Sequence, residues 1–189
     1  MDNSCLLKQA PPGYVQRLTA CEAVFIRQIC LLRHYPWLTN LFKVISRMGD
    51  GPLWGAVGVF LLLFGQGRER LAVAAAAVVA LLSITLFTCL KKLIRRPRPS
   101  ELWKDISCLV QPPDRYSFPS GHTMTAFSMY GTFATLLPGS GWYFFPPALL
   151  IGVSRVFIGA HYPSDVVIGG VLGIVIGHSV ALVTVFLVY

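Results

Sequence analysis

The chain of 189 residues is apolar throughout: 54% of it is hydrophobic and only 13% charged, with a mean hydropathy of +0.63. These proportions exclude an ordinary soluble domain and predict an all-α integral membrane protein. A formal charge of +8 suggests nucleic acid in a soluble chain. Here the basic residues flank apolar runs, so phosphate head groups in a bilayer are the expected partners and nucleic acid is not.

The opening segment, Met1 to Tyr14, has no basic stretch followed by a long apolar one. No cleaved signal peptide is expected, and insertion depends on internal spans. From Cys21 to Met48 the apolar stretches are interrupted by Glu22, Arg27, Arg33, His34, Lys43 and Arg47. Val24, Phe25, Ile29 and Leu32, then Leu38, Leu41, Phe42 and Ile45, recur at helical spacing. Residues 1–50 therefore read as interfacial amphipathic helices, with a tilted first span as the alternative.

Apolar runs follow at Pro52–Phe64, Leu71–Leu90, His122–Leu137, Trp142–Gly159 and Val166–Tyr189. Crossing a bilayer takes about 20 apolar residues, so the second and fifth suffice alone and the others must extend into flanking residues. Gly65-Gln66-Gly67-Arg68 and Pro138-Gly139-Ser140-Gly141 are turn signals that join neighbouring spans as hairpins. The expected architecture is a bundle of five or six transmembrane helices, one domain over residues 1–189 with the bundle in 51–189. Gly169, Gly173 and Gly177, like Ala72, Ala76 and Ala80, form small-residue stripes for close helix packing. The five cysteines lack metal-ligand spacing, so no metal site is expected. Cys89 reads as a packing residue, as does His178. Cys108 can pair with an N-terminal cysteine only on an oxidising face.

Three clusters at the ends of these runs carry chemistry. Lys91, Lys92, Arg95, Arg96 and Arg98 follow the Leu71 run. At about 2.5–3.5 kcal/mol each in mid-bilayer, they belong at the interface or in a wet cavity. Lys92, Arg95 and Arg96 read as head-group anchors. Arg98, held extended between Pro97 and Pro99, suits bidentate phosphate binding. In the second cluster, Pro119-Ser120-Gly121-His122, Gly121 allows close approach to the free N–H groups of a helix start, which with the Ser120 hydroxyl can receive an anion. Taken alone, Ser120 is equally an ordinary N-cap and His122 an interfacial histidine. In the third, Arg155 lies about one turn from the end of its run and needs an anionic partner. His161 follows in a short connection. Asp165, the only acidic residue after Asp114, is the available carboxylate to hold a histidine N–H and leave the other ring nitrogen nucleophilic. It also suits the dipole of the helix it opens.

Together, Lys91 with Arg98-Pro99, Pro119-Ser120-Gly121-His122, and Ser154-Arg155 with His161 and Asp165 resemble the type 2 phosphatidic acid phosphatase family. Its motifs are KxxxxxxRP, PSGH and SRxxxxxHxxxD, and every specified position and spacing matches over about Leu71 to Tyr189. The resemblance implies a membrane lipid phosphate phosphatase with its site at one membrane interface and no cofactor. His161 is then the nucleophile that forms a phosphohistidine, Asp165 orients it, and His122 protonates the leaving oxygen and later activates water. Lys91, Arg98, Arg155, Ser120 and Gly121 hold the phosphate oxygens, and the three cations supply the charge a metal would bring.

The implied substrates are phosphomonoesters or pyrophosphates on acyl or prenyl lipids: phosphatidate, phosphatidylglycerophosphate, undecaprenyl pyrophosphate or lipid A. A lipid phosphotransferase uses the same residues, whereas a non-catalytic lipid-phosphate binder needs neither histidine. The family's vanadium haloperoxidase relatives share the anion pocket, but the apolar runs argue against a soluble oxidase. Trp103, Tyr116 and Phe118 suit either an entrance or an aromatic belt. The family placement puts the site on the extracytoplasmic face of the cell membrane, against a positive-inside count that favours the cytoplasm. No oligomeric state follows from the sequence.

Overall fold

A computed structural model describes residues 14–188; the opening segment as far as Gly13, including Cys5, lies outside them. The described residues form eight α-helices and one 3-10 turn, with no strand among them. They are α1 (Tyr14–Leu31), the 3-10 turn Leu32–His34, α2 (Pro36–Met48), α3 (Pro52–Phe64), α4 (Gly67–Ile94), the short α5 (Pro99–Leu102), α6 (Gly121–Leu136), α7 (Gly141–Phe157) and α8 (Pro163–Val188).

The five apolar runs became α3, α4, α6, α7 and α8. Proline opens α2, α3, α5 and α8, where its fixed φ fits the first turn and its missing N–H is not needed. Glu69 closes the start of α4 by accepting the Gln66 N–H at 3.0 Å. That helix stops at Arg95, which adopts the left-handed conformation (φ 52°, ψ 35°), and Pro97 and Pro99 bar its resumption.

At the centre of the molecule is α6, packed against α8, α4 and α7. The glycine stripe on α8 faces it directly. A Cβ at Gly173 would sit 2.3 Å from the Met124 carbonyl oxygen, one at Gly177 2.3 Å from that of Ser128, and one at Gly169 2.8 Å from that of Ser120. Backbone therefore lies on backbone, closer than any side chain allows. On the other flank Ala72, Ala76, Phe127, Phe133, Leu136 and Ile151 share one apolar core with Trp54 of α3.

Outward faces are equally apolar: Leu63, Phe64, Leu81, Leu182 and Phe186 are all exposed. Two stretches, Gly67–Leu102 and Pro163–Val188, are long and apolar enough to cross a membrane, and only 22% and 17% of their most apolar windows are buried. Such surface is not tolerated in water on this scale, so it faces lipid. α3, α6 and α7 are shorter, at 13, 16 and 17 residues.

From Tyr14 to Met48 the chain is helical apart from the bend at Tyr35. Along α1 and the turn after it, Glu22, Arg27 and Arg33 reach Arg96, Asp105 and the carbonyls of Ser107 and Phe157. α1 thus lies across the end of the bundle where the three clusters meet. Cys21, Cys30, Cys89 and Cys108 are unpaired. Contrary to the packing role expected for it, Cys89 is exposed, because it lies on the outward side of α4. His178 is half-buried between α8 and α6, with Nδ1 against the Thr135 hydroxyl.

Gly177→Val pushes α8 off α6 and destabilises the protein by about 2 kcal/mol or more, read as a lowered unfolding midpoint in detergent. Gly58→Ala, whose new Cβ meets only Val73 at 3.8 Å, does not lower the midpoint, since alanine favours a helix interior over glycine.

Candidate active site

Helix ends bring the predicted residues to one place. Lys91 lies in the last turn of α4 and is 5% exposed; Arg98 caps the start of α5 and is 3% exposed; Arg155 lies in the last turn of α7 and is 2% exposed. Arg98 is extended (φ −77°, ψ 158°), as its proline neighbours require. Its guanidinium donates to the Ala160 carbonyl at 2.6 Å, and Nη1 lies 3.4 Å from His161 Nε2.

His161 is buried in the connection before α8. Burial first, then the positive fields of Arg155, Arg98 and Lys91, hold its imidazole well below the ordinary histidine range. A neutral ring is the form that can act as a nucleophile. Nδ1 lies 3.6 Å from Asp165 Oδ2 and has no hydrogen-bond partner among the described residues. The expected bond from Asp165 to the histidine is therefore an approach beyond hydrogen-bond length.

Asp165 is instead held by other groups. Arg96 Nη1 donates to Oδ1 at 2.6 Å, and the Tyr162 N–H donates to Oδ2 at 2.9 Å. This overturns the head-group role expected for Arg96. Its side chain is 12% exposed and also binds Glu22 Oε2 at 2.6 Å, the Ser164 hydroxyl at 2.7 Å and Thr19. Its charge is held more firmly than usual: burial works against it, and Asp165 and Glu22 outweigh the burial. Lys92 and Arg95 are exposed, as anchors should be.

Ser120 and Gly121 open α6. The Ser120 N–H donates to the Asp165 carbonyl at 3.0 Å, joining the second cluster to the third. Ser120 Oγ accepts the Thr123 hydroxyl, leaving its own proton to donate. At Gly121 a Cβ would meet the Phe87 ring at 3.1 Å, so glycine is needed for packing there as well as for ligand access. In the first turn of α6, His122 Nε2 is paired with Asp50.

Four further residues escaped the sequence reading. Asp114 accepts Lys91 Nζ and Arg98 Nη2, each at 2.6 Å. Burial would raise its pKa, but the two cations outweigh it and hold the carboxyl below its ordinary range. Ser46 accepts from Arg155 Nη1, Asp50 pairs with His122, and Glu22 pairs with Arg96. Only Glu22 left a trace in sequence: it is the carboxylate on the Ala20, Ala23, Ile26 face of α1, which is buried.

Chemically, this is a cluster of cations around a neutral histidine, with a second histidine–carboxylate pair nearby. Such a set can bind an oxyanion and exchange protons with it. The PAP2 superfamily profile matches residues 70–188. The chain is 27% identical over 178 residues to the decaprenylphosphoryl-5-phosphoribose phosphatase of Mycobacterium tuberculosis, covering 93% of both chains. It is 31% identical to the lipid A 1-phosphatase of Rhizobium etli, covering 90% of this chain and 74% of the relative. A solved transmembrane PAP2 type phosphatidylglycerolphosphate phosphatase from Bacillus subtilis superposes with a TM-score of 0.71 at 26% identity, covering 94% of this chain and 90% of that one.

Asp114 competes with any incoming anion for Lys91 and Arg98. Asp114→Asn accordingly binds inorganic phosphate about tenfold more tightly, or ~1.4 kcal/mol, measured by calorimetric titration. Equal or weaker binding would exclude the competition.

Proposed function

We propose that this chain, which belongs to the PAP2 superfamily and is a membrane lipid phosphatase, removes phosphate from an acyl or prenyl lipid through a phosphohistidine on His161. The observation that carries the mechanism is the placement of His161 between Arg98 at one ring nitrogen and Asp165 at the other. Nε2 attacks phosphorus, forming an N–P bond while the P–O bond to the lipid breaks. Lys91, Arg98 and Arg155 hold the nonbridging oxygens, with Ser120 and the Gly121 N–H beside them, and Asp114 gives up its two cations to the phosphate. His122, supported by Asp50, gives its proton to the leaving oxygen. It then takes one from the water that cleaves the N–P bond and releases inorganic phosphate. Asp165 stabilises the positive charge that develops on the His161 ring.

The substrate is a phosphomonoester or pyrophosphate at the head of a lipid, the class to which the named relatives' substrates belong. Phosphatidate, phosphatidylglycerophosphate, undecaprenyl pyrophosphate and lipid A are the compounds to assay. The reaction needs no metal, since the cations already meet the phosphate charge. In a phosphate-release assay with EDTA present, wild-type turnover is unchanged and His161→Ala loses about 10³-fold or more. Asp165→Asn loses less, because the amide still orients the ring. Chelator inhibition or an active His161→Ala would overturn the mechanism, and release without an acceptor lipid separates hydrolysis from phosphoryl transfer.

For the membrane arrangement, α3, α4, α6, α7 and α8 make five spans, and α1 and α2 lie at the interface on the site side. The site takes the extracytoplasmic face implied by the family. Most basic residues lie on that side, but Arg27, Lys91, Arg96 and Arg98 are neutralised by carboxylates, and Arg33 is spent on backbone carbonyls. Their presence there is accounted for by the site they build, so they bias a positive-inside count, which weighs Lys and Arg whatever their partners. In a cysteine-free background in intact cells, a membrane-impermeant maleimide labels Lys104→Cys and not Arg68→Cys. The reverse pattern would put the site in the cytoplasm.

A further inference from the structure

We infer that Arg96 and Glu22 form a positioning pair that keeps Asp165 ionised and aimed at His161, so that Arg96 acts on the reaction without touching the phosphate. The inference rests on the proposed role of His161 and Asp165, and adds two residues that the three motifs do not specify.

The geometry is specific. One guanidinium spans two carboxylates: Nη1 on Asp165 Oδ1 and Nη2 on Glu22 Oε2, both at 2.6 Å. Its Cζ lies over the Tyr162 ring, 4.0 Å from the centroid. Glu22 is fixed in turn, because its other oxygen accepts the Ser164 N–H at 2.6 Å. Arg96 also donates to the Ser164 hydroxyl. Both carboxylates thus converge on the first turn of α8 with a single cation between them. With Oδ1 occupied by Arg96, Oδ2 is left for the Tyr162 N–H and the His161 ring.

The charged and titratable groups around Asp165 are Arg96 from the segment after α4, Glu22 from α1, and His161 and Tyr162 from the connection before α8. Lys91, Arg98 and Arg155 act on His161, whereas Arg96 is the cation in contact with Asp165. Without Arg96, two buried carboxylates at one helix end repel each other, and one takes a proton. A protonated Asp165 cannot stabilise positive charge on His161.

The two residues therefore have opposite effects on pH dependence. Arg96→Met keeps the stack on Tyr162 but removes the charge. At neutral pH it lowers kcat about 10- to 100-fold with KM within about twofold. Its acid limb moves up by about one unit or more, so activity returns at alkaline pH. Glu22→Gln removes the competing carboxylate and leaves that limb in place or moves it down. Added to Arg96→Met, Glu22→Gln brings the limb part of the way back and restores part of kcat. Arg96→Lys, which keeps the charge, loses less than Arg96→Met.

The experiment is a kcat and KM profile from about pH 5 to 9 on a lipid phosphate in detergent micelles, with His161→Ala as the reference for the mechanism. Equal losses at every pH in Arg96→Met, or no rescue by Glu22→Gln, would reduce the pair to a structural brace. Activity in His161→Ala would instead overturn the underlying mechanism.

Discussion

The contact that the rest of the structure depends on is the backbone approach of α8 to α6. Gly169, Gly173 and Gly177 bring one helix against the carbonyls of Ser120, Met124 and Ser128. In a bilayer no hydrophobic force drives helices together, because lipid tails are as apolar as the side chains. Close packing over a long seam is then the main source of cohesion. The seam continues into the site: its last rung at Gly169 abuts Ser120, and the next contact is the hydrogen bond from Ser120 N–H to the Asp165 carbonyl. The packing that holds the bundle also fixes how the start of α6 meets the start of α8, and so how His122 stands relative to Asp165.

At that end of the seam the governing constraint changes from packing to charge. Lys91, Arg98, Arg155, Asp165 and Glu22 are all buried, and burying a lone ion costs several kcal/mol. Each has a partner or a polar contact from a distant part of the chain. Asp114 meets Lys91 and Arg98, Ser46 meets Arg155, and Glu22 meets Arg96 across 74 residues of sequence. The N-terminal helices, which carry no motif, thus complete the charge balance of the site. Ion pairs of this kind add little net stability, and their value lies in fixed geometry.

The sequence revealed the helices and the three clusters well because both are local. Apolar runs mark spans, Pro97 and Pro99 mark an extended segment at Arg98, and Gly121 marks a helix start. What it did not reveal was who pairs with whom. Arg96 looked like Lys92 and Arg95, one of several cations at a helix end, and only the fold turns it inward to Asp165 while leaving the others exposed. Asp114 sits in an irregular loop with no periodic pattern, and Asp50 lies in the bend between α2 and α3. Neither carries a local sign that it will meet a cation or a histidine. Cys89 failed for a related reason: in a lipid-facing helix an apolar run does not distinguish the inner face from the outer.

These pairings divide the cations into two sets with different duties. Arg155, Arg98 and Lys91 act on His161, and they are the groups proposed to hold the phosphate. Arg96 is the counter-ion of Asp165 and stands behind it, away from the phosphate. A nucleophilic histidine faces conflicting demands: its ring must stay neutral before attack, yet the carboxylate that stabilises its later positive charge must stay ionised. One shared set of cations would serve both poorly, since a binding phosphate would draw on the same charge that keeps Asp165 ionised. With a separate cation for the carboxylate, the proposed exchange of phosphate for Asp114 leaves the Arg96–Asp165 contact in place. The proline-flanked segment after α4 makes this possible, because it turns Arg96 and Arg98, two residues apart, toward opposite sides of His161.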